Sequence, residues 1–169
     1  ARQFIGELGK PVKQWQACYQ DVQDVEQFRN WLRLLLAEER RFDMGEGYGF
    51  SPVSRGFGLL TYRYLKLFTN ISAELYSDRP LYNLDYLSGK ISDYGFVDHF
   101  IRTEYLETDL LAGLGKAGIE LNAQQRQQVL DSANNKINSS KHLETSYYYD
   151  QECIDLVAKK ESYLINSYN

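Results

Sequence analysis

Seven consecutive residues, Phe96-Val-Asp-His-Phe-Ile-Arg102, constrain this chain more than any other stretch. Val97, His99 and Ile101 alternate with Phe96, Asp98 and Phe100, which is the period of a strand with apolar side chains on both faces. Every other strong pattern in the sequence has helical spacing. A lone buried strand leaves its own edge N–H and C=O groups without partners. The sequence therefore predicts either that residues 1–8 and 78–87 supply partner strands, or that they come from sequence upstream of Ala1, where the chain begins without Met.

The helical patterns carry their own boundary signals. Pro11 suits the first turn of a helix with Val12, Trp15 and Tyr19 on one side. Asp24 and Gln27 make a capping box for a helix reaching about Phe42, with Val25, Phe28, Leu32, Leu35 and Leu36 on its inner face. Ser51-Pro52 opens a third helix. Val53, Phe57, Leu60, Tyr64, Leu67 and Phe68 follow as its predicted core-facing stripe. Residues 69–95 read as a broken connection, punctuated by Pro80, Ser88-Gly89 and Gly95. Leu106, Leu110, Leu111 and Leu114 form a helix closed by Gly115 or Gly118. Asn122 caps another, with Val129, Leu130, Ala133 and Ile137 inside. Asp150 caps the last, with Tyr149 stapled onto Ile154 and with Val157, Ala158, Leu164, Ile165 and Tyr168 facing inward.

These patterns predict a mainly α fold with a small β component, in one domain spanning 1–169 and incomplete at its N-terminus. Apolar residues at 43% and charged residues at 25% fit a soluble globular protein. A net charge of −4 gives no broad basic field, so no nucleic-acid partner is expected. The longest apolar runs, such as Leu34-Leu35-Leu36, are too short to span a membrane, and no targeting segment is visible. Two histidines and two distant cysteines show no metal-ligand spacing. Asn70-Ile71-Ser72 and Asn138-Ser139-Ser140 fit the glycosylation pattern, which does not fix a compartment. Gly45, Gly47 and Gly49 alternate, but a helix precedes them where a dinucleotide loop needs a strand, so the stretch reads as a mobile surface loop. Arg55, Arg63 and Lys66 read as solvated cations.

Several segments taken together resemble the sulfotransferase family. In "VDHFIRTEYLETDLLAGLGKAGI", Glu104, Leu106 and Asp109 match its late strand-to-helix unit. Near the end, Asn138, Ser140, Tyr149, Asp150 and Val157 match its closing segment, although the family's terminal Gly-Tyr does not appear. In "GKPVKQWQACY", Pro11 and Tyr19 match, while Gly9 and Ala17 stand where relatives carry the Arg and Ser that hold the 3′-phosphate of the sulfate donor, PAPS. The Gly-rich donor loop of the family has no counterpart.

The resemblance implies the C-terminal part of an α/β sulfotransferase-like, P-loop NTPase-like fold. The chemistry implied is sulfuryl transfer from PAPS to a hydroxyl or amine, on a small-molecule or glycan acceptor, with the chain as given not competent alone. Thr103 takes the place before the Glu where relatives set an aromatic against adenine, and Lys141, with His142 beside it, lies in a loop that would face a phosphate. Thr103 and Lys141 are thus the candidate donor-binding residues; no catalytic residue and no metal is assigned. Two plainer readings stay open: Thr103 and Glu104 as caps of the following helix, and Lys141 as an exposed loop residue. The alternative function is a non-catalytic helical binding module.

Overall fold

The computed structural model describes residues 9–21, 23–77, 79–134 and 143–168. The chain divides into two compact units, one made of 1–96 with 143–169 and the other of 97–142.

The first unit is helical. Helix α1 (Val12–Ala17) follows Pro11, and Trp15 alone of its side chains is buried. Helix α2 (Val25–Leu36) starts where Asp24 accepts from the Glu26 amide. Gln27 does not close the box on the Asp24 amide; its Oε1 accepts from the amides of Gln20 and Asp21, tying the preceding turn to the helix. The α-helix ends at Leu36, not near Phe42, because Ala37 is extended and a 3-10 segment (Glu38–Asp43) follows. Leu32 and Leu36 face helix α9 (Gln151–Lys160), forming a small core with Cys153, Phe28, Leu156 and Val157.

The predicted helix from Ser51 to Phe68 is two helices. After a short α3 (Val53–Gly56), Phe57 and Gly58 are extended and α4 (Leu59–Phe68) starts afresh. The break changes which side of α4 faces inward. Leu59, Tyr62 and Leu65 enter the main core with Val53, Phe57, Ile71, Leu75, Leu81 and Leu87. Leu60 and Leu67, predicted to be inside, are 57% and 58% exposed, and Phe68 is 42% exposed.

The Gly45–Gly49 stretch is not a surface loop. Gly45, Glu46 and Gly47 all have left-handed backbone, at φ +42, +57 and +89. They turn the chain so sharply that Tyr48 sits buried, its hydroxyl donating to the Phe57 carbonyl at 2.7 Å. The carbonyl of Glu46 accepts from the Tyr62 hydroxyl at 2.6 Å and from Lys66 Nζ at 3.1 Å, so the turn is held from α4.

Part of the supposed broken connection is helix α5 (Leu84–Tyr94), which places Ser88-Gly89 mid-helix and overturns a strand at 78–87. Among the described residues no strand forms. One isolated antiparallel bridge joins Thr69 to Gly95. Residues 96–102 carry no regular secondary structure, and among the described residues no segment pairs with them as a ladder.

Helix α9 ends at Lys160 and α10 (Ser162–Tyr168) follows, with Glu161 buried at the break. Ile154 is exposed, and Tyr149 packs on Phe28 with ring centroids 5.2 Å apart instead of stapling onto it. A one-turn helix α8 (Thr145–Tyr148) precedes.

The second unit holds a 3-10 turn (Thr103–Tyr105), α6 (Leu106–Lys116) and α7 (Ala123–Asp131). Gly118, at φ +73, closes α6 with the Ile119 amide donating back to Leu114. Asn122 caps α7, as the sequence predicts, and the structure adds a reciprocal bond from Gln125 that completes a capping box. The predicted burial is absent: none of its described residues is buried, Leu130 and Ala133 are exposed, and Ile137 lies outside the described residues.

Candidate functional site

The junction before α6 holds a charged hydrogen-bond cluster. Arg102 stands one residue before the 3-10 turn. Its backbone amide, Nε and Nη2 all donate to the Asp109 carboxylate, at 3.1, 2.9 and 3.1 Å. The guanidinium also lies over the Tyr105 ring, 4.5 Å from its centroid. Those bonds hold the Asp109 carboxyl well below its ordinary range, at about 2, and push the Arg102 guanidinium up. His99 Nε2 contacts the Asp109 carbonyl at 2.7 Å, and its ring lies where a Cβ on Gly113 would sit. A side chain at Gly113 would displace the imidazole.

This arrangement answers part of the capping question. The junction is capped, but by Asp109 from one turn inside α6; neither Thr103 nor Glu104 makes a side-chain cap bond there. Thr103 is exposed at the first position of the 3-10 turn. Lys141, His142, Asn138 and Ser140 lie outside the described residues. The Arg102–Asp109 pairing had a visible sequence signal: a cation just before a helix and an acid in its first turn.

In the first unit, the segment from Gly9 to Tyr19 is anchored by Asp43. Trp15 Nε1 donates to the buried Asp43 carboxylate at 2.9 Å, and Lys10 Nζ donates to the Asp43 carbonyl at 3.1 Å. Ala17 lines an open hollow of about 350 Å³ with Gln14, Cys18, Asn30, Arg33 and Leu34. Among these described lining residues Arg33 is the cation. Its Nη2 is 2.7 Å from Glu152 and 3.6 Å from Asp150, and the Glu152 hydrogen bond raises its pKa. Arg29 pairs with Glu26 and lies 3.4 Å from Asp150. Both cations here already face carboxylates, Glu26 on α2 and Asp150 or Glu152 at the start of α9.

The sequence reading missed Glu161. Its side chain is buried and covers the N-terminus of α4, accepting from the Leu60 amide at 3.1 Å, the Thr61 amide at 2.9 Å and the Thr61 hydroxyl at 2.7 Å. A Cβ on Gly58 would come within 2.0 Å of its Oε1, so only glycine leaves room for the carboxylate. Burial raises its pKa despite the three donors. A signal existed: position 161 lies four residues after Val157 and three before Leu164, on the apolar stripe itself.

Among the described residues, no group of three or more His, Cys, Asp or Glu side chains is placed to hold a metal ion. No described helix is long and apolar enough to cross a membrane. Comparison with protein-family models, with curated proteins and with solved structures finds no match for this chain.

Proposed function

We propose that the chain is a sulfotransferase-like protein of α/β descent, whose chemistry is transfer of a sulfuryl group from PAPS to a hydroxyl or amine. The observation that carries this reading is the use made of the residues behind the resemblance. Asp109 fixes the entry to α6. Asp150 caps α9, accepting from the Cys153 amide at 2.8 Å, and Val157 packs into the Leu32–Leu36 core. Each sits at a loop-to-helix junction or on the inner face of α9. In the transfer, the acceptor loses its proton to a base as its oxygen or nitrogen bonds sulfur, and the sulfur–phosphate bridge breaks to release the 3′,5′-bisphosphate.

Thr103 and Lys141 would be the donor-facing residues in this reading. The chain as given is expected to hold the donor weakly. Gly9 and Ala17 offer no charged fork to a phosphate, and the guanidinium of Arg102 is engaged by Asp109. Loss of one charge-assisted hydrogen bond costs about 1.5–3 kcal/mol, roughly ten- to a hundredfold in affinity. Calorimetry with 3′-phosphoadenosine 5′-phosphate tests this. The expected result is millimolar binding that weakens in Lys141→Ala and strengthens when Asp109→Asn frees Arg102. Heats unchanged in both variants would remove the reading.

One observation favours a second reading, a non-catalytic helical binding module. Helix α4 carries a second apolar face, Leu60, Leu67 and Phe68, turned to solvent. Absence of any heat with the bisphosphate would favour it.

A further inference from the structure

Helix α1 has six residues, too few to stay helical without a surface to pack on. Yet Trp15 is the one buried side chain it offers, and among the described residues Trp15 joins neither apolar core of the first unit. Val12, Lys13, Gln14, Gln16 and Ala17 are all exposed. Apolar burial therefore does little to hold this segment down.

What holds it is polar and gathered at Asp43. The Asp43 carboxylate is buried, accepts from Trp15 Nε1 at 2.9 Å and lies 3.8 Å from Arg40 Nη1. Its backbone carbonyl accepts from Lys10 Nζ at 3.1 Å, and that ammonium lies 5.8 Å from the centroid of the Trp15 ring. Asp43 is itself well fixed. It ends the 3-10 segment and leads into the left-handed turn at Gly45–Gly47, which Tyr62 and Lys66 hold from α4. At the far end, Gln27 Oε1 accepts from the amides of Gln20 and Asp21. The segment thus has a latch at Asp43, a pivot at Gln27 and exposed side chains between. Gln14, Ala17 and Cys18 of this segment form one side of the hollow, and Asn30, Arg33 and Leu34 of α2 form the other.

We propose that residues 10–19 are a strap, latched onto Asp43 by Trp15 and Lys10, that swings about Gln27 while the cores stay folded and so opens and closes the hollow. A segment tied by one indole and one polar knot opens at a lower free energy than the cores unfold. Nothing in this geometry depends on sulfuryl transfer.

Amide hydrogen exchange of the full chain, read by NMR, tests the strap. A released α1 is too short to stay helical, so the amides of Cys18 and Tyr19, which donate to the Trp15 and Gln16 carbonyls, report the opening. In the parent chain they should exchange about tenfold faster, or more, than the Leu65 amide in the main core. Asp43→Ala removes a hydrogen bond to a charged group, so their exchange should rise roughly ten- to a hundredfold while Leu65 stays unchanged. Asp43→Asn keeps an oxygen for the indole and should give a smaller rise. Trp15→Phe removes the same bond from the other side and should release the strap likewise, which keeps the test decisive should Asp43→Ala not fold. Alkylation by iodoacetamide then reads the hollow: Cys18 should react severalfold faster in the released variants, with the buried Cys153 unmodified. Strap amides that exchange in step with Leu65, in the parent and in the variants, overturn the proposal. So does a Cys18 rate that stays put while the strap amides speed up, because the latch would then not govern the hollow.

Discussion

The two units of this protein use the same helical vocabulary to different ends. In the first, caps and cores coincide: Asp24 and Asp150 start α2 and α9, and those helices close over Leu32, Leu36 and Cys153. In the second, the caps are as good or better, with a full capping box at Asn122 and a glycine closure at Gly118, yet nothing described there is buried. Local signals specify where helices begin and end. They do not supply the apolar burial that makes a unit stable, because that depends on residues far away in sequence or on another chain.

The largest expected effect breaks the comparison at its centre. Leu65 is fully buried among Tyr62, Ile71 and Leu87, so Leu65→Ala should cost about 3–5 kcal/mol in urea unfolding. Leu110, on the apolar stripe of α6 but only half-buried, should cost less than about 1.5 kcal/mol in the same change. Equal costs would mean that the second unit is buried as deeply as the first.

Glu161 sharpens the comparison next, since it shows what a long-range cap contributes. Glu161→Ala orphans the Leu60 and Thr61 amides at the α4 N-terminus and should cost about 2–3 kcal/mol. Its titration has a definite sign. The carboxyl's pKa is raised above its ordinary 4.5 in the folded state, so the folded protein holds this proton more tightly. The associated stability is complete below 4.5 and is lost as pH rises through the folded value. Glu161→Gln, which cannot ionise, should remove that slope from a stability–pH curve. A slope that survives the substitution would assign it to another group.

What the sequence made legible follows the same division. Asp24, Asn122 and Asp150 were readable as caps because each bonds an amide two or three residues away. Of the predicted stripe, Val53, Phe57 and Tyr64 are buried, but Leu60, Leu67 and Phe68 were misread because two extended residues, Phe57 and Gly58, reset the helical phase. The Gly45–Gly49 turn was misread because its burial comes from Tyr62 and Phe57, which no local pattern announces. Of the two candidate donor residues, Thr103 is found exposed on a turn and Lys141 lies outside the described residues; neither position is decided by local signals. The alternation at 96–102 is in the sequence, but a ladder needs a partner that the described residues do not include.

A smaller effect belongs to the second unit. Gly118 has φ +73 and open space around it, so Gly118→Ala pays only backbone strain, about 1 kcal/mol. Melting of α6 followed by residue-specific NMR should show this loss without movement in the α2 and α9 signals. Parallel loss in both units would show that they unfold as one.

The smallest expected effect is the titration of Asp109, and it isolates what the cap at α6 does. Its carboxylate accepts three bonds from Arg102 and is held at about 2, below its ordinary 3.8. A depressed carboxylate pKa means that the folded state binds this proton less readily than the unfolded state. The contribution is therefore present above 3.8 and disappears as pH falls through about 2. Arg102 is exposed, so solvent screens the pair, and the cap should act on local order more than on global stability. The Asp109 carboxyl carbon should titrate near 2 by NMR and return towards 3.8 in Arg102→Gln. The Arg102 and Tyr105 amides should exchange faster in that variant, while Leu65 in the first unit stays unchanged. An Asp109 midpoint unaffected by Arg102→Gln would show that the helix N-terminus, not the guanidinium, sets it.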